Sequence, residues 1–253
     1  MKYKYIKTSI NNQILEVSIN RPKQMNAINP QVSYELKDIF EHYKKSNKLK
    51  IAILSGEGGL AFSAGNDLKH TKSESDPVVP FGGITSSYVC YKPIIAAIEG
   101  YALGGGLEIA LSCDILIASE NSTFGFPEPK VGLFAGAGGA AKLAKLISQK
   151  QALYLLLTSE LISADVAKDI GLISKVVKSG EALNTARKTA KTILENSYLA
   201  ISATKQIILN EYKVDFDPKE IEKYSEVEKL RESDHFEIGK TAFANKQKPE
   251  WSW

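Results

Sequence analysis

The chain is poor in the residues that mark redox and metal proteins. Its 253 residues include only two cysteines and three histidines. Cys90 and Cys113 stand alone, without the C-x-x-C spacing of a thiol-redox or zinc site, and read as reduced, buried thiols. His42, His70 and His235 are far apart in sequence, and H-E-x-x-H is missing, so no metal is expected. Neither sign of charge prevails: 32 Lys and Arg stand against 29 Asp and Glu, a net charge of +3. The lysines are scattered, which argues against a nucleic-acid or membrane-surface partner. No apolar run reaches the roughly 18 residues of a membrane span. The N-terminus, MKYKYIKTSINNQILEVSI, alternates charged and apolar residues and has neither the apolar core of a secretory signal nor the Arg-rich character of a transit peptide. The cytosol is the expected compartment. There is no G-x-S-x-G elbow and no P-loop.

What is present suits an ordinary globular enzyme. Hydrophobic residues make up 43% of the chain and charged residues 24%, enough for one large domain or one domain with a helical appendage. Residues 3–9 and 13–19, rich in Ile, Val and Tyr, predict a hairpin turning at Asn11-Asn12. Asn29-Pro30 opens a helix as N-cap and first helical residue. Val32, Leu36, Ile39, Phe40 and Tyr43 then fall on one face. Apolar strands are expected at 50–54, 93–98, 114–118 and 171–177. Helices are expected near 105–112, over 137–158, and throughout from about 181. Residues 72–83, polar and rich in Pro and Gly, read as a mobile surface loop. Strands alternating with helices define an α/β class. The expected division is a core over 1–195 and a helical region over 196–253.

Two glutamates sit in shaped frames: Glu108 in Gly104-Gly105-Gly106-Leu107-Glu108 and Glu128 in Phe124-Gly125-Phe126-Pro127-Glu128-Pro129. Glycines leave the backbone open to a ligand, and the first amides of a helix lack internal partners and favour negative charge. An oxyanion could bind there. Close strand–helix packing would also select such glycines. The loop Phe62-Ser63-Ala64-Gly65-Asn66-Asp67-Leu68 is expected to open a helix capped by Asn66 or Asp67 and to offer a second amide. Pro127 and Pro129 hold the backbone around Glu128 in a narrow range, which suits an aimed carboxyl. Gly136-Ala137-Gly138-Gly139-Ala140-Ala141 matches a dinucleotide fingerprint. No clean strand precedes it, so a nicotinamide cofactor is rejected; these glycines are expected to allow close packing at a helix start.

Taken in order, these strings resemble the crotonase, or enoyl-CoA hydratase/isomerase, superfamily over nearly the whole chain. Arg21-Pro22-Lys23-Gln24-Met25-Asn26-Ala27-Ile28 resembles its "RP…NAL" element. Residues 62–68 resemble "F-C/S-A-G-x-D-L/I", and 100–108 resemble "G-x-A-x-G-G-G-x-E", followed by Cys113-Asp114. Residues 124–128 resemble "F-G-x-P-E", 136–139 the following "G-A-G-G", and Phe243 to Trp251 the family's C-terminal string. The resemblance implies a spiral of ββα units with a C-terminal helical region, packed as trimers or pairs of trimers. It implies an acyl-CoA thioester substrate and no cofactor beyond the coenzyme A of that substrate. By position, the amides of Asn66 and Gly105 become the oxyanion hole, and Glu108 and Glu128 fall on the two hydratase glutamates. Lys23, Asn26, Ala27, Ala64, Gly65, Asp67 and Leu68 become the lining of the CoA cleft.

Hydration of a 2-enoyl-CoA follows from these assignments. Paired carboxylates raise one another's proton affinity, so one stays protonated as the acid. Glu128 is assigned the acid–base role at C2 and Glu108 the activation of water. Two departures bear on this. Asn66 stands where hydratases often carry Ala and some Δ3,Δ2-enoyl-CoA isomerases carry Asn. Gln247 stands where Arg is frequent, leaving Lys246 and Lys248 as candidates for phosphate contacts. Isomerisation, dehydration of a specialised acyl-CoA, and an idle binding protein on the same fold are the competing readings.

Overall fold

The computed structural model describes residues 3–71, 73–86, 88–211 and 225–251. The sequence builds a mixed α/β architecture by feeding two sheets in turn. Strands β1 (Ile6–Asn11), β2 (Ile14–Ile19), β3 (Ile51–Gly56), β5 (Ile94–Ile98), β7 (Ile115–Ser119) and β10 (Lys175–Val177) form one sheet in the order β1-β2-β3-β5-β7-β10. Strands β4 (Ala61–Ser63), β6 (Tyr101–Leu103), β8 (Thr123–Gly125) and β9 (Ile162–Ser163) form a second in the order β4-β6-β8-β9. Each of β3-β4, β5-β6 and β7-β8 places a long strand in the first sheet and a short one in the second. The corner between β5 and β6 is Gly100, with φ 65°. A helix, α2 (Gly105–Ala110), follows β6, and α3 (Gly139–Leu146) follows β8 after a 3₁₀ turn at Glu128–Val131.

The large sheet is covered on both sides, which is why β3 and β5 read as unbroken apolar runs. Ala52, Leu54, Ile94, Ala96 and Ile98 pack with the predicted face of α1 (Pro30–Lys45): Val32, Leu36, Ile39, Phe40 and Tyr43. Burial of each Val, Leu, Ile or Phe side chain among these contributes about 1.5–3 kcal/mol. The alternate residues Ile51, Ile53, Ile95, Ala97 and Ile117 meet Ala182, Ala186 and Ala190 of α6 (Ala182–Leu194). Alanines four apart let that helix lie close to the sheet. Arg187 fixes its orientation with two bonds to the Glu16 carboxylate, each 2.7 Å.

Most expected elements occur, with shifts. The hairpin turns at Asn12-Gln13, one residue later than predicted, with Asn12 at φ 55°. Asn29 caps α1 through its side chain, which accepts from the Val32 amide at 2.9 Å. The single helix expected over 137–158 is two, α3 and α4 (Gln149–Thr158), broken where Ile147 is extended and Ser148 caps the second. No helix follows the loop at 62–68. Asn66 instead forms a parallel bridge with Ile28, and a turn follows. Residues 73–79 carry no regular element, but Gly82, Gly83, Ile84 and Thr85 are buried, so the end of that loop belongs to the core. Beyond α4 the helices are α5 (Ala164–Asp169) before β10, then α6, α7 (Tyr198–Glu211), α8 (Ser225–Glu232) and α9 (His235–Ala244). Residues 212–224, also expected to be helical, lie outside the described residues.

Candidate active site

Parallel pairing brings the chemistry together. Strands β4, β6 and β8 are neighbours and run in the same direction, so the segments that leave their carboxyl ends emerge side by side, the usual place for a site in such a sheet. Asn66 follows β4, Gly105 and Glu108 follow β6, and Glu128 follows β8. The Gly104 amide donates to the Gly125 carbonyl at 2.9 Å and locks the last two exits together.

The segments that carry the Asn66 and Gly105 amides approach each other closely. The Ile28–Asn66 bridge uses the Gly65 carbonyl and the Asp67 amide, at 2.8 and 2.9 Å. The Asn66 amide therefore points the other way along the alternating backbone. The Gly105 amide lies in the first turn of α2, where no intrahelical acceptor exists. Gly65 has φ 91°, and a Cβ there would lie 3.1 Å from the Gly105 nitrogen and 2.8 Å from the Leu103 carbonyl. Only glycine lets these two segments approach so closely. The Phe81 ring packs directly on Gly105.

The carboxyls are seated differently. Glu108 is buried and accepts from the Gly139 amide at 2.8 Å. Burial lifts its carboxyl to about 7, against the pull of the Gly139 and Ala137 amides and the Lys142 charge. Glu128 sits at the start of the 3₁₀ turn, with its Oε2 shut off from solvent and without a hydrogen-bond partner among the described residues. Burial, and then the nearby Glu108 charge, push it up to about 8; its own amide pulls weakly the other way. Gly104, at φ 52°, clears room for it: a Cβ there would lie 2.9 Å from Glu128 Oε1. From behind, α9 supports the turn, with Gly239 packed on Val131 and Gly132 on the His235 carbonyl.

Around the amides, the residues assigned by position to a cleft lining divide by role. Lys23 and Asn66 are exposed, and Ala64, Asp67 and Leu68 are half-buried. Asn26 is fully buried, accepting from the Arg21 amide at 2.9 Å and donating to the Glu57 and Ala61 carbonyls at 2.9 and 2.7 Å. Ala27 and Gly65 are buried too. Asp67 pairs with Arg21 at 2.7 Å, and Arg21 also donates to the Ala27 carbonyl. The side chains of Asn26 and Asp67 thus hold the loop that carries Asn66. Sequence reasoning missed Arg21 as an anchor, Phe81 against Gly105, and the Gly139 amide as a partner of Glu108. A Gly-Gly pair opening a helix was the available signal for the last; Phe81 had none, because its contact is made across the fold.

This geometry defines a class, and comparison with known proteins places the chain within it. The family described as enoyl-CoA hydratase/isomerase matches residues 9–253. A carnitinyl-CoA dehydratase of Escherichia coli is 33% identical over 255 residues, with 95% of each chain covered. A short-chain-enoyl-CoA hydratase of Clostridium acetobutylicum is 38% identical over 221 residues, covering 82% of this chain and 85% of the relative. A carnitinyl-CoA hydratase structure from Mycobacterium avium superposes with a TM-score of 0.89 at 32% identity, covering 100% of this chain and 99% of the other. An enoyl-CoA hydratase structure from Mycobacterium tuberculosis gives 0.78 at 36% identity, with 98% of each covered. The chain belongs to the enoyl-CoA hydratase/isomerase family of enzymes and has the crotonase fold that its sequence strings imply.

Proposed function

We propose that the chain is a hydro-lyase that adds water reversibly across the 2,3 double bond of a 2-enoyl-CoA thioester. The observation that supports this best is the gathering of two carboxyls and two main-chain amides at the ends of β4, β6 and β8. In this reading the thioester oxygen lies between the Asn66 and Gly105 amides, which polarise the carbonyl and make C3 electrophilic. Glu108, as carboxylate, takes a proton from water while the water oxygen bonds to C3. The electron pair of the double bond moves onto the thioester as an enolate. Its collapse takes the Glu128 carboxyl proton at C2. Water is consumed as one OH at C3 and one H at C2, leaving Glu108 protonated and Glu128 ionised; proton exchange with solvent resets the pair. The high proton affinity of Glu128, which has no donor at Oε2, supports its role as the acid.

Lys23 and the Ala64–Leu68 backbone are the proposed walls for the CoA portion. A trimer, or a pair of trimers, is the proposed assembly. The apolar side chains that α4 and its surroundings expose, Leu153, Tyr154, Leu157 and Leu161, support it. A second reading is dehydration of a specialised 3-hydroxyacyl-CoA, the same chemistry in reverse. Coverage of 95% on both sides with carnitinyl-CoA dehydratases favours it as the alternative. Separate incubations with crotonyl-CoA, a 3-enoyl-CoA and carnitinyl-CoA test these readings. Loss of the conjugated absorbance of crotonyl-CoA supports hydration. Turnover of carnitinyl-CoA alone selects the second reading, and turnover of the 3-enoyl-CoA alone overturns both.

A further inference from the structure

One charged group beside the acid pair has no part in the steps above. Lys142 lies in the first turns of α3, three residues beyond the Gly139 amide that holds Glu108. Its stem runs under Gly138, where an added Cβ would sit 3.3 Å from Cε. Its ammonium turns inward and donates to the Thr85 carbonyl at 2.8 Å and to Ser112 Oγ at 2.7 Å. Ser112 Oγ in turn donates to the Glu108 carbonyl at 2.8 Å. Thr85 Oγ1 donates to the carbonyl of Phe81, the residue packed on Gly105. A single cation therefore joins the segment that packs on an oxyanion amide, the helix that carries Glu108, and the helix whose first amide holds the Glu108 carboxyl.

We propose that Lys142 is a positioning residue of this site: it fixes these three segments against one another and supplies the positive charge beside which Glu108 carries its negative one. The proposal rests on the acid–base reading given above. The titratable groups that face the ammonium are Glu108 on α2 and Cys113 just after it. The 81–85 segment presents the Thr85 carbonyl and carries no titratable side chain. Glu128 reaches the cluster through Glu108. Desolvation brings the ammonium down to about 8, with Glu108 pulling it back up, and Lys142 reciprocally draws Glu108 down. In the acid–base reading the ammonium offsets the one ionised carboxyl, Glu108, while Glu128 keeps its proton. Without the cation, both carboxyls would tend to keep their protons and the base would be lost.

The test uses the whole protein without substrate, following the Glu108 carboxyl and the Lys142 side chain by ¹³C NMR titration. Lys142→Met is expected to raise the Glu108 midpoint by about one pH unit, and Lys142→Arg to leave it near the wild-type value. Linkage demands the reciprocal effect: Glu108→Gln lowers the Lys142 midpoint by the same interval. That arm needs no substitution of Lys142, so it decides the matter even if the Met variant does not fold. With crotonyl-CoA, Lys142→Met should lower kcat about tenfold or more with KM within about twofold, move the acid limb of kcat/KM upward, and be rescued by Arg. A Glu108 midpoint unchanged in Lys142→Met, or a Lys142 midpoint unchanged in Glu108→Gln, would overturn the assignment. So would a kcat loss that only follows the loss of Tm. If the wild-type protein hydrates no enoyl-CoA, the hydratase reading fails, while the titrations still decide the role of Lys142.

Discussion

The two walls of the candidate site carry the same side chain and treat it in opposite ways. The Glu108 wall is built of helix starts: the Gly139 and Ala137 amides and the Lys142 ammonium all favour a carboxylate. The Glu128 wall is a 3₁₀ turn closed by Pro127 and Pro129, and its Oε2 has no donor. Burial raises both carboxyls, to about 7 and about 8. Because solvent is withheld from both, the difference in donors decides which gives up its proton first. Identical residue types thus take distinct roles through what the backbone offers each, and the proposed division of labour follows: Glu108 the base, Glu128 the acid.

The comparison is broken most strongly by removing either carboxyl. Glu108→Gln and Glu128→Gln should each lower hydration kcat by about 10²–10⁴-fold, measured at saturating crotonyl-CoA. A milder break falls on the amides. Gly65→Ala forces a Cβ between the two segments at a positive φ and should cost about 10²–10³ in rate, with crystallography or NMR confirming a folded protein.

The asymmetry is sharpened by pH. With Glu108 needed as carboxylate and Glu128 as acid, kcat/KM should peak between about 7 and about 8 and fall on both sides. Stability runs the other way. Both groups have higher proton affinity in the folded state than in the unfolded chain, where the ordinary value is near 4.5. The folded state therefore binds more protons. Their contribution is fully present below about 4.5 and is lost as pH rises through about 7 and about 8. Substituting Gln for both should therefore raise Tm relative to wild type more at pH 9 than at pH 5, as thermal melts would show.

Away from the carboxyls the expected effects shrink. Asp67→Asn leaves Arg21 with a weakened partner in a pair whose side chains are 10% and 13% exposed. It should destabilise by about 3 kcal/mol, a drop in Tm of roughly 10 °C, and reduce kcat through the loop that carries Asn66. Lys7→Ala removes an exposed pair with Glu57 and should change stability by less than about 1 kcal/mol in denaturant titration.

Much of the fold was legible where local chemistry decides it. The Asn29-Pro30 cap, the apolar face of α1 and the buried strands β3 and β5 all announce themselves through periodicity and capping. The break between α3 and α4 was also legible and went unread: Ser148-Gln149-Lys150-Gln151 is a capping box, and Gln151 donates its amide to Ser148 Oγ at 3.3 Å. The loop at 62–68 misled because Asn66 and Asp67 look like cap residues. In the structure the Asp67 carboxylate is taken by Arg21 and the backbone by Ile28, partners supplied by a distant segment. Sequence strings identified Glu108, Glu128, Asn66 and Gly105 as candidates. They could not reveal that Gly139 supports one glutamate while the Oε2 of the other is left without a donor among the described residues, since that contrast arises only when three strand ends are brought together.

The central claim is that the two glutamates act together on water and an enoyl thioester. The most direct measurement is the loss of crotonyl-CoA absorbance with wild type and with the Glu108→Gln, Glu128→Gln double variant, both verified as folded. The account predicts rapid loss with wild type and a rate reduced by about 10² or more in the variant. A double variant that hydrates crotonyl-CoA within tenfold of wild type would contradict it.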